Sequence, residues 1–210
     1  FIKILPMTYF KYPDAVVLVF AKAPIPGEVN TRLIPDIGVE AATSLQSELI
    51  LSRLKNLQKK NLCMTQLWCS PDPEYDFFQS CKQQYAVDLF EQCGEDLGAR
   101  MSQAINQSLQ SFKRVVLIGT DAPSLTSVHI ERAINKLDQN DVVIAPAEDG
   151  GYVMIGMSQH SDAVFQSVPW GTDEVLACTR ENIADNNLLC GELETCWDID
   201  RVEDYQRYKK

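Results

Sequence analysis

An apolar segment that runs into a loop containing two prolines and a glycine lies near the start of the chain. Residues 16–33 read VVLVFAKAPIPGEVNTRL. The first five of these residues are β-branched, aliphatic or aromatic, which predicts a strand over residues 16–20 that is covered on both faces. Open α/β sheets bind ligands beyond the carboxyl ends of such strands. The segment therefore predicts an α/β fold with a binding site just after this strand.

The loop after this strand carries two cationic side chains. Lys22 and Arg32 lie on either side of Gly27, and Pro24 and Pro26 restrict the backbone between them. A stiff loop with converging cations suits phosphate, which makes Lys22, Pro26, Gly27 and Arg32 candidate phosphate-binding residues. The spacing matches neither the Walker A motif nor G-x-G-x-x-G. A strand-to-helix turn with solvated charges is the alternative interpretation, and the loop alone does not decide between them.

Size, charge and cysteine content limit the class of protein. The 210 residues, 45% of them hydrophobic, suffice for one domain, which we expect over residues 15–210 after an N-terminal extension over residues 1–14. A net charge of −10 disfavours a nucleic-acid partner. No segment approaches the roughly 18 apolar residues of a membrane span, and the first residues make a poor signal peptide. Seven scattered cysteines without a C-x-x-C pair predict reduced thiols in a cytoplasmic protein, and two histidines disfavour a His-based triad or zinc site.

Along the rest of the chain, short apolar runs typical of strands alternate with segments whose apolar residues have helical spacing. This alternation predicts a three-layer α/β/α domain with a mostly parallel central sheet. The predicted strands after the first cover residues 62–69, 86–90, 115–118, 142–145, 152–157 and 188–195. The predicted helices cover residues 36–59, 74–82, 97–109, 130–137, 172–184 and 202–208.

A carboxylate, Asp121, follows the predicted strand over residues 115–118, in the sequence GTDAP. This position lies at the carboxyl end of a central strand, where open sheets bind ligands. An aspartate there suits Mg²⁺ or Mn²⁺, which bind oxygen ligands and are commonly shared with substrate phosphates. The alternative is that Asp121 only hydrogen-bonds the turn, but the adjacent glycine and proline indicate a shaped loop. We therefore favour metal binding by Asp121, with Thr120 beside it as a phosphate-binding candidate.

Two acidic residues and two glycines, Glu148 to Gly151, separate two predicted strands. An Asp-Gly pair between strands predicts a hairpin turn, and on spacing alone this interpretation is favoured. The functional alternative is that Gly150 and Gly151 allow a sugar or phosphate to approach the backbone, while Glu148 and Asp149 hydrogen-bond its hydroxyl groups.

Two later segments combine tryptophan with acidic residues. In the sequence WGTD, Thr172 is placed to cap the following helix, and Trp170 precedes it. In the sequence WDID, Asp198 and Asp200 alternate, so that both carboxylates of an extended segment would face one side. These two aspartates either complete a metal site with Asp121, or Asp200 caps the last helix.

Five segments, in order, resemble a single family. FAKAPIPGEVNTRL, IGTDAPSLT, PAEDGGYVMIG, VPWGTDEVL and WDIDRVEDY are similar to the radical-SAM/selenodomain-associated transferase 1 family, also called domain of unknown function 2064. This family lies in the nucleotide-diphospho-sugar transferase superfamily, and the similarity covers about residues 16–205. The resemblance implies a GT-A-like, Rossmann-related fold. It also implies that Lys22 and Arg32 lie near the nucleotide phosphates and that Asp121 takes the place of the superfamily's metal-binding aspartate.

The chain departs from the family pattern in two places. Members commonly have Arg and Lys where this chain has Glu28 and Asn30, and DxDTPED where it has Arg201 and Val202. The loss of two cations weakens the attraction for phosphate. The departures therefore indicate either a different donor or reduced activity.

The resemblance and the residues together support three functional hypotheses. The first is a glycosyltransferase-like enzyme that uses Mg²⁺ or Mn²⁺ and a nucleoside-diphosphate sugar, with Asp121, Glu148 and Asp149 as catalytic residues. In this hypothesis the metal and Lys22 offset the charge that develops on the leaving diphosphate. We expect substrate contacts from Gly150, Gly151, Trp170 and Thr172. The alternatives are a nucleotidyltransferase that releases pyrophosphate and a nucleotide-binding protein with a degenerate site.

Overall fold

The computed structural model describes residues 9–210. Residues 1–8, the first part of the predicted N-terminal extension, lie outside the described residues. The remainder of that extension packs on the domain, because the ring of Tyr12 contacts the core and its backbone N–H donates to the Leu62 carbonyl at 2.7 Å.

Strands and helices alternate along the described residues. The strands are β1 (Ala15–Lys22), β2 (Met64–Ser70), β3 (Asp88–Glu91), β4 (Arg114–Ile118), β5 (Val142–Pro146), β6 (Tyr152–Met157) and β7 (Cys190–Glu192). The helices are α1 (Ile34–Lys60), α2 (Asp76–Tyr85), α3 (Leu97–Leu109), α4 (Ser127–Lys136), α5 (Val175–Asp185) and α6 (Val202–Tyr208). A short 3₁₀ helix, Asp162–Phe165, precedes α5.

The strands form one twisted sheet in the order β3-β2-β1-β4-β6-β5-β7. Among the strands of residues 9–210, only β6 runs antiparallel to its neighbours, β4 and β5, because it forms a hairpin with β5. The other neighbouring strands are parallel. The predicted α/β fold with a mostly parallel sheet is confirmed.

Helices cover both faces of the sheet, which explains why β1 is apolar on both sides. Val17 and Val19 pack under α1, α2 and α4, whereas Val16 and Leu18 pack under α3, the 3₁₀ helix and α5. This alternation follows from the two-residue period of a strand. A smaller cluster at the sheet edge contains Leu33, Leu45, Leu49 and Ile199, with the aromatic residues of α6 packed against it.

Element boundaries differ from the prediction by up to three residues, and three elements illustrate the differences. α1 is interrupted at Gly38, whose φ of 81° and ψ of 162° leave the helical region. α5 begins at Val175 rather than at residue 172, because the Thr172 hydroxyl and backbone N–H both donate to the Pro169 carbonyl and hold Thr172 in a turn. β7 covers only three residues of the predicted strand 188–195.

Two further features of the described residues bear on the class of protein. No helix within residues 9–210 is long and apolar enough to cross a bilayer. All seven cysteines are free thiols, and Cys63, Cys69, Cys81 and Cys196 are buried. Burial raises the pKa of Cys63 and Cys69 to about 12, so these two thiols stay protonated at neutral pH.

Candidate active site

A cavity of about 770 Å³ lies at the sheet edge where β1 and β4 end and β6 begins. The loops after β1 and β4 form two of its walls, and the β5–β6 hairpin, the start of α3, residues 170–173 and residues 198–201 contribute to the rest. Because β6 is antiparallel, its first residue, Tyr152, reaches the same edge as the carboxyl ends of the parallel strands. The cavity therefore occupies the crevice position of an open α/β sheet.

Most of the predicted site residues line this cavity. They are Lys22, Arg32, Thr120, Asp121, Asp149, Gly151, Trp170, Thr172, Asp198 and Asp200. The other four, Pro26, Gly27, Glu148 and Gly150, are not part of its lining. Gly27 turns the loop with a φ of 83°, and Gly150 allows close packing, because a Cβ at that position would lie 2.2 Å from the Asp173 carbonyl oxygen.

The loop after β1 is tied to helix α1 by two amide side chains. Asn30 adopts a left-handed backbone conformation, with a φ of 48°, and its Nδ2 donates to the Ala42 carbonyl at 2.9 Å. Gln46 Nε2 donates to the Lys22 carbonyl at 3.0 Å. Asparagine tolerates this conformation better than most residues. Asn30 therefore fixes the path of the loop between the two cations.

The loop after β4 is joined to the WDID segment by short hydrogen bonds. The Ile199 N–H donates to the Asp121 carbonyl at 2.9 Å. The Ser124 hydroxyl donates to the Trp197 carbonyl at 2.6 Å and accepts from the Trp197 N–H at 2.8 Å. These bonds bring Asp121 and Asp198, which are distant in sequence, onto one wall of the cavity.

A glycine makes room for the Asp121 carboxylate. A Cβ at Gly119 would lie 2.7 Å from Asp121 Oδ1, which is closer than two such atoms can approach. The carboxylate faces the cavity and is accessible there, while protein encloses it on its other sides. Gly119 is therefore required by the position of this side chain as well as by the turn.

The carboxylates of this wall raise one another's pKa. Burial, followed by the charges of Asp121 and Asp149, raises the pKa of Asp198 to about 7. Burial also raises the pKa of Asp121, and Asp149 and Asp200 add to the effect, whereas the charge of Arg53 opposes it. Crowded carboxylates with raised pKa values are typical of functional sites, because a cation or a proton relieves their repulsion.

Two cations of the cavity lining, Arg32 and Lys22, differ in their partners. Arg32 Nη1 pairs with Asp200 Oδ2 at 2.7 Å, and Arg201 lies 3.9 Å from the same oxygen. Lys22 forms no ion pair with any residue of the described chain. Lys22 is therefore the cation with its charge available to a ligand.

The donor chemistry of the wall fits a hard divalent cation. Asp121, Asp198 and Asp200 offer only oxygen ligands, which Mg²⁺ and Mn²⁺ prefer. Within residues 9–210, no three His, Cys, Asp or Glu side chains already stand close enough together to hold an ion. Mg²⁺ commonly uses only one or two carboxylates and completes its shell with water and substrate phosphates.

A buried arginine, Arg53 of α1, supports the Asp121 loop from behind. Arg53 is 7% exposed, its Nη2 donates to the Ala122 carbonyl at 2.5 Å, and its Nη1 donates to the Leu125 carbonyl. Arg53 is not among the residues predicted from the sequence. The available signal was a charged side chain next to the apolar face of the predicted helix, where Leu49 and Leu57 are buried.

A further part of the cavity lining, which includes the start of α3, is apolar and aromatic. Phe20, Leu97, Met101 and Trp170 contribute to it. Trp170 packs so closely on the start of α3 that a Cβ at Gly98 would lie 2.7 Å from its ring. A flat ring system of a ligand fits this apolar wall better than it fits the wall of carboxylates.

The two acidic residues of the hairpin point in different directions. Asp149 lines the cavity, and its Oδ1 accepts from the Gly151 N–H at 2.9 Å. Glu148 pairs with Arg207 of α6 at 3.1 Å, and the Arg207 guanidinium lies 4.3 Å from the centre of the Trp197 ring. Glu148 therefore contacts α6 and not the cavity. The hairpin interpretation is confirmed by the antiparallel pairing of β5 and β6.

A family model described as an uncharacterized protein conserved in bacteria (DUF2064) matches residues 53–172, which is more than half of the chain. The chain belongs to the DUF2064 family. The match includes the β4 loop with Asp121, the β5–β6 hairpin and Trp170.

Solved structures resemble this DUF2064 chain over most of its length. A candidate nucleotide-diphospho-sugar transferase from Desulfovibrio desulfuricans G20 is 30% identical, with a TM-score of 0.83 over 90% of this chain and 84% of that one. The inositol-1-phosphate CTP transferase from T. maritima is 13% identical, with a TM-score of 0.61 over 96% of each chain. A cytidylyltransferase from Leptospira borgpetersenii is 15% identical, with a TM-score of 0.59 over 94% and 86%. The last two show the shared fold alone. No curated protein matches the chain.

The hairpin of this DUF2064 chain provides a matched pair of variants. We expect Asp149→Asn to lower turnover at least tenfold, because Asp149 faces the cavity and is placed to bind a hydroxyl group or accept a proton. Glu148→Gln should leave turnover within twofold, because Glu148 pairs with Arg207 outside the cavity. Steady-state kinetics with a substrate that the wild type turns over would check both. Equal losses in the two variants would contradict the assignment.

The raised pKa of Asp198 predicts a pH-dependent stability of the metal-free protein. Asp198 has a higher pKa in the folded protein, about 7, than in the unfolded chain, so its protonated form favours folding. This contribution to the free energy of unfolding is fully present below the unfolded pKa and is lost as the pH rises through 7. Asp198→Asn should therefore match the wild type near pH 4 and exceed it at pH 8. We expect a gain of about 1–2 kcal/mol, allowing for solvent screening of a half-buried group. Urea unfolding in EDTA measures it, with exposed Asp185→Asn as the control. A stability difference that does not change with pH would show that the Asp198 charge is not its cause.

Proposed function

We propose that this chain is a transferase that acts on a nucleoside-diphosphate sugar with the help of Mg²⁺ or Mn²⁺. The observation that carries the proposal is the pairing, within one cavity, of the cationic loop of Lys22 with the carboxylate wall of Asp121 and Asp198. A diphosphate needs both positive charge and, on an acidic protein, a metal ion to offset repulsion. The 30% identity to the candidate nucleotide-diphospho-sugar transferase of Desulfovibrio desulfuricans G20 supports the same proposal.

The residues of the cavity divide into three roles in this proposal. Lys22 and Arg32 bind the diphosphate, and the Asp149 carboxylate orients a hydroxyl group of the sugar or acceptor. Trp170 and the apolar wall take the flat base of the nucleotide, which stacks on aromatic rings.

The metal would be held by Asp121 together with Asp198 or Asp200. When bound, Mg²⁺ or Mn²⁺ supplies positive charge that stabilises the departing diphosphate. Arg32 neutralises Asp200 in the structure, and metal or diphosphate binding would therefore compete with this ion pair. Arg53 fixes the loop that carries Asp121, through the Ala122 and Leu125 carbonyls.

The two cations should contribute unequally to diphosphate binding. Lys22→Met is expected to weaken binding of a nucleoside diphosphate at least tenfold, because a charge-assisted contact is worth about 1.5–3 kcal/mol. Arg32→Met should cost less, because Arg32 already pairs with Asp200. Calorimetric titration of both variants checks the order, and Lys82→Met on α2 is the control. A change below twofold for Lys22→Met would remove it from the binding site.

The proposed activity is tested with a panel of nucleoside-diphosphate sugars and nucleoside triphosphates, each with Mn²⁺ and with EDTA. We expect Mn²⁺-dependent release of a nucleoside diphosphate from at least one sugar donor. Release of pyrophosphate from a triphosphate would favour the nucleotidyltransferase instead. Binding without turnover of any compound would favour a degenerate site, and the absence of binding would overturn all three hypotheses.

A further inference from the structure

A second cavity, of about 400 Å³, lies behind the Asp121 loop, between α1 and α4. The carboxyl-terminal half of α1 forms one wall, and the loop after β4 with the first turn of α4 forms the other. Its polar lining includes Arg53, Asn56, Lys59, Lys60, Thr126 and Ser127.

The charge of this second cavity is opposite to that of the protein. The chain has 29 acidic and 19 basic residues, yet the described residues that line the cavity include three cations and no Asp or Glu. Lys59 and Lys60 form no ion pair within residues 9–210. The charge of Glu131 acts on Lys60 without forming an ion pair with it. A cluster of cations without ion-pair partners in an acidic protein attracts an anion.

Arg53 gives a second, independent indication of a ligand. Its side chain lines the cavity, is more than nine-tenths buried, and makes no ion pair with a carboxylate of the described chain. Two of its nitrogens donate to backbone carbonyls, whereas its Nε has no partner. The charge of Asp121 acts on Arg53 without forming an ion pair with it. A buried charge that lacks a paired counter-charge is costly, and a bound anion would supply one.

Helix dipoles explain only part of this arrangement. Lys59 and Lys60 lie in the last turn of α1, where cations stabilise any helix. That effect does not account for Arg53, which lies almost two turns earlier and is buried, nor for the absence of carboxylates from the described lining. The first turn of α4, at Ser127, adds its positive dipole end to the same cavity.

We propose that the second cavity is a binding site for the phosphate group of a small anion, distinct from the nucleotide site. Lys59, Lys60 and Arg53 supply the charge, and Asn56 and Ser127 are placed to supply neutral donors. Such a site uses the same chemistry as other phosphate sites at helix N-termini flanked by cations.

The position of this site links it to the main cavity. Thr120 lines both cavities, and Arg53 holds the carbonyls of Ala122 and Leu125, on the loop that presents Asp121. An anion bound beside Arg53 would therefore contact the back of the loop whose front faces the nucleotide site.

Calorimetric titration with orthophosphate and with pyrophosphate tests the site. We expect the wild type to bind at least one of them with a Kd below roughly 1 mM, and the double variant Lys59→Gln/Lys60→Gln to bind it at least tenfold more weakly. Lys55→Gln on the same helix is the matched control and should change the Kd less than twofold. Lys22→Met should retain the binding, which separates this site from the main cavity. A preference for pyrophosphate would identify a diphosphate ligand, and a preference for orthophosphate a monophosphate.

Three results would overturn the proposal. The first is that neither anion binds to the wild type at about 10 mM, well above the expected Kd. The second is that Lys55→Gln weakens anion binding as much as the double variant does. The third is that Lys22→Met weakens anion binding and the double variant does not. Nucleoside diphosphate binding in Mn²⁺, measured on the double variant, should stay within twofold of the wild type. This second readout shows that the variant is folded and that its main cavity is intact.

Discussion

Asp121→Asn is expected to lower turnover and Mn²⁺-dependent nucleotide binding by about a hundredfold, the range found when a group that stabilises transferred charge is removed. The substitution keeps the shape of the side chain, so the Gly119 turn and the Ile199 hydrogen bond to the Asp121 carbonyl remain. The lower turnover and weaker binding would therefore result from the lost charge of the carboxylate and not from a change in the loop.

The expected loss is measured by calorimetric titration of a nucleoside diphosphate with Mn²⁺ and by initial rates with the donor sugar. Asp185→Asn at the end of α5 removes the same charge from an exposed site outside the cavity. This control variant should leave both nucleotide binding and the initial rate unchanged. Unaltered Mn²⁺ dependence in Asp121→Asn would show that this carboxylate holds no metal.

Arg53→Met is expected to lower the free energy of unfolding by about 3 kcal/mol, because it leaves the buried Leu125 carbonyl without a donor and removes one of the two hydrogen bonds to the Ala122 carbonyl. For a chain of this length, this corresponds to a fall in Tm of roughly 6–12 °C. Arg53→Lys should lose less, since an ammonium group is able to retain one of the two hydrogen bonds. Arg132→Met removes an exposed ion pair with Glu194 and should cost less than about 1 kcal/mol.

A positioning role for Arg53 predicts more than lost stability. At a temperature where Arg53→Lys is fully folded, both its kcat and its Mn²⁺-dependent affinity for a nucleoside diphosphate should fall, because the loop that Arg53 holds presents Asp121, on which both depend. Wild-type kcat in this folded variant would limit Arg53 to a role in stability.

The positions of the main site residues along the sheet could be predicted from the sequence. β1 and β4 are short, apolar and β-branched, and parallel strands end at one edge, so Lys22 and Asp121 had to lie near each other. The hairpin could be predicted from its Asp-Gly pair, because that turn depends on residues adjacent in sequence.

The directions and partners of the side chains could not be predicted in the same way. The Arg32–Asp200 ion pair joins residues 168 positions apart, and the Glu148–Arg207 pair depends on where α6 packs. Adjacent acidic residues such as Glu148 and Asp149 look equivalent in the sequence, and only the path of the hairpin separates them. In the sequence, Arg53 cannot be distinguished from an exposed arginine of a helix, because its burial depends on the Asp121 loop, which is distant in sequence.

Calorimetric titration of UDP, GDP, CDP and ADP, each with Mn²⁺ and with EDTA, tests the central claim most directly. We predict that at least one of them binds with a Kd below about 100 μM in Mn²⁺, and that EDTA and Lys22→Met each weaken this binding at least tenfold. Failure of all four to bind, or binding that depends on neither Mn²⁺ nor Lys22, would contradict a nucleoside-diphosphate site between the Lys22 loop and the Asp121 wall.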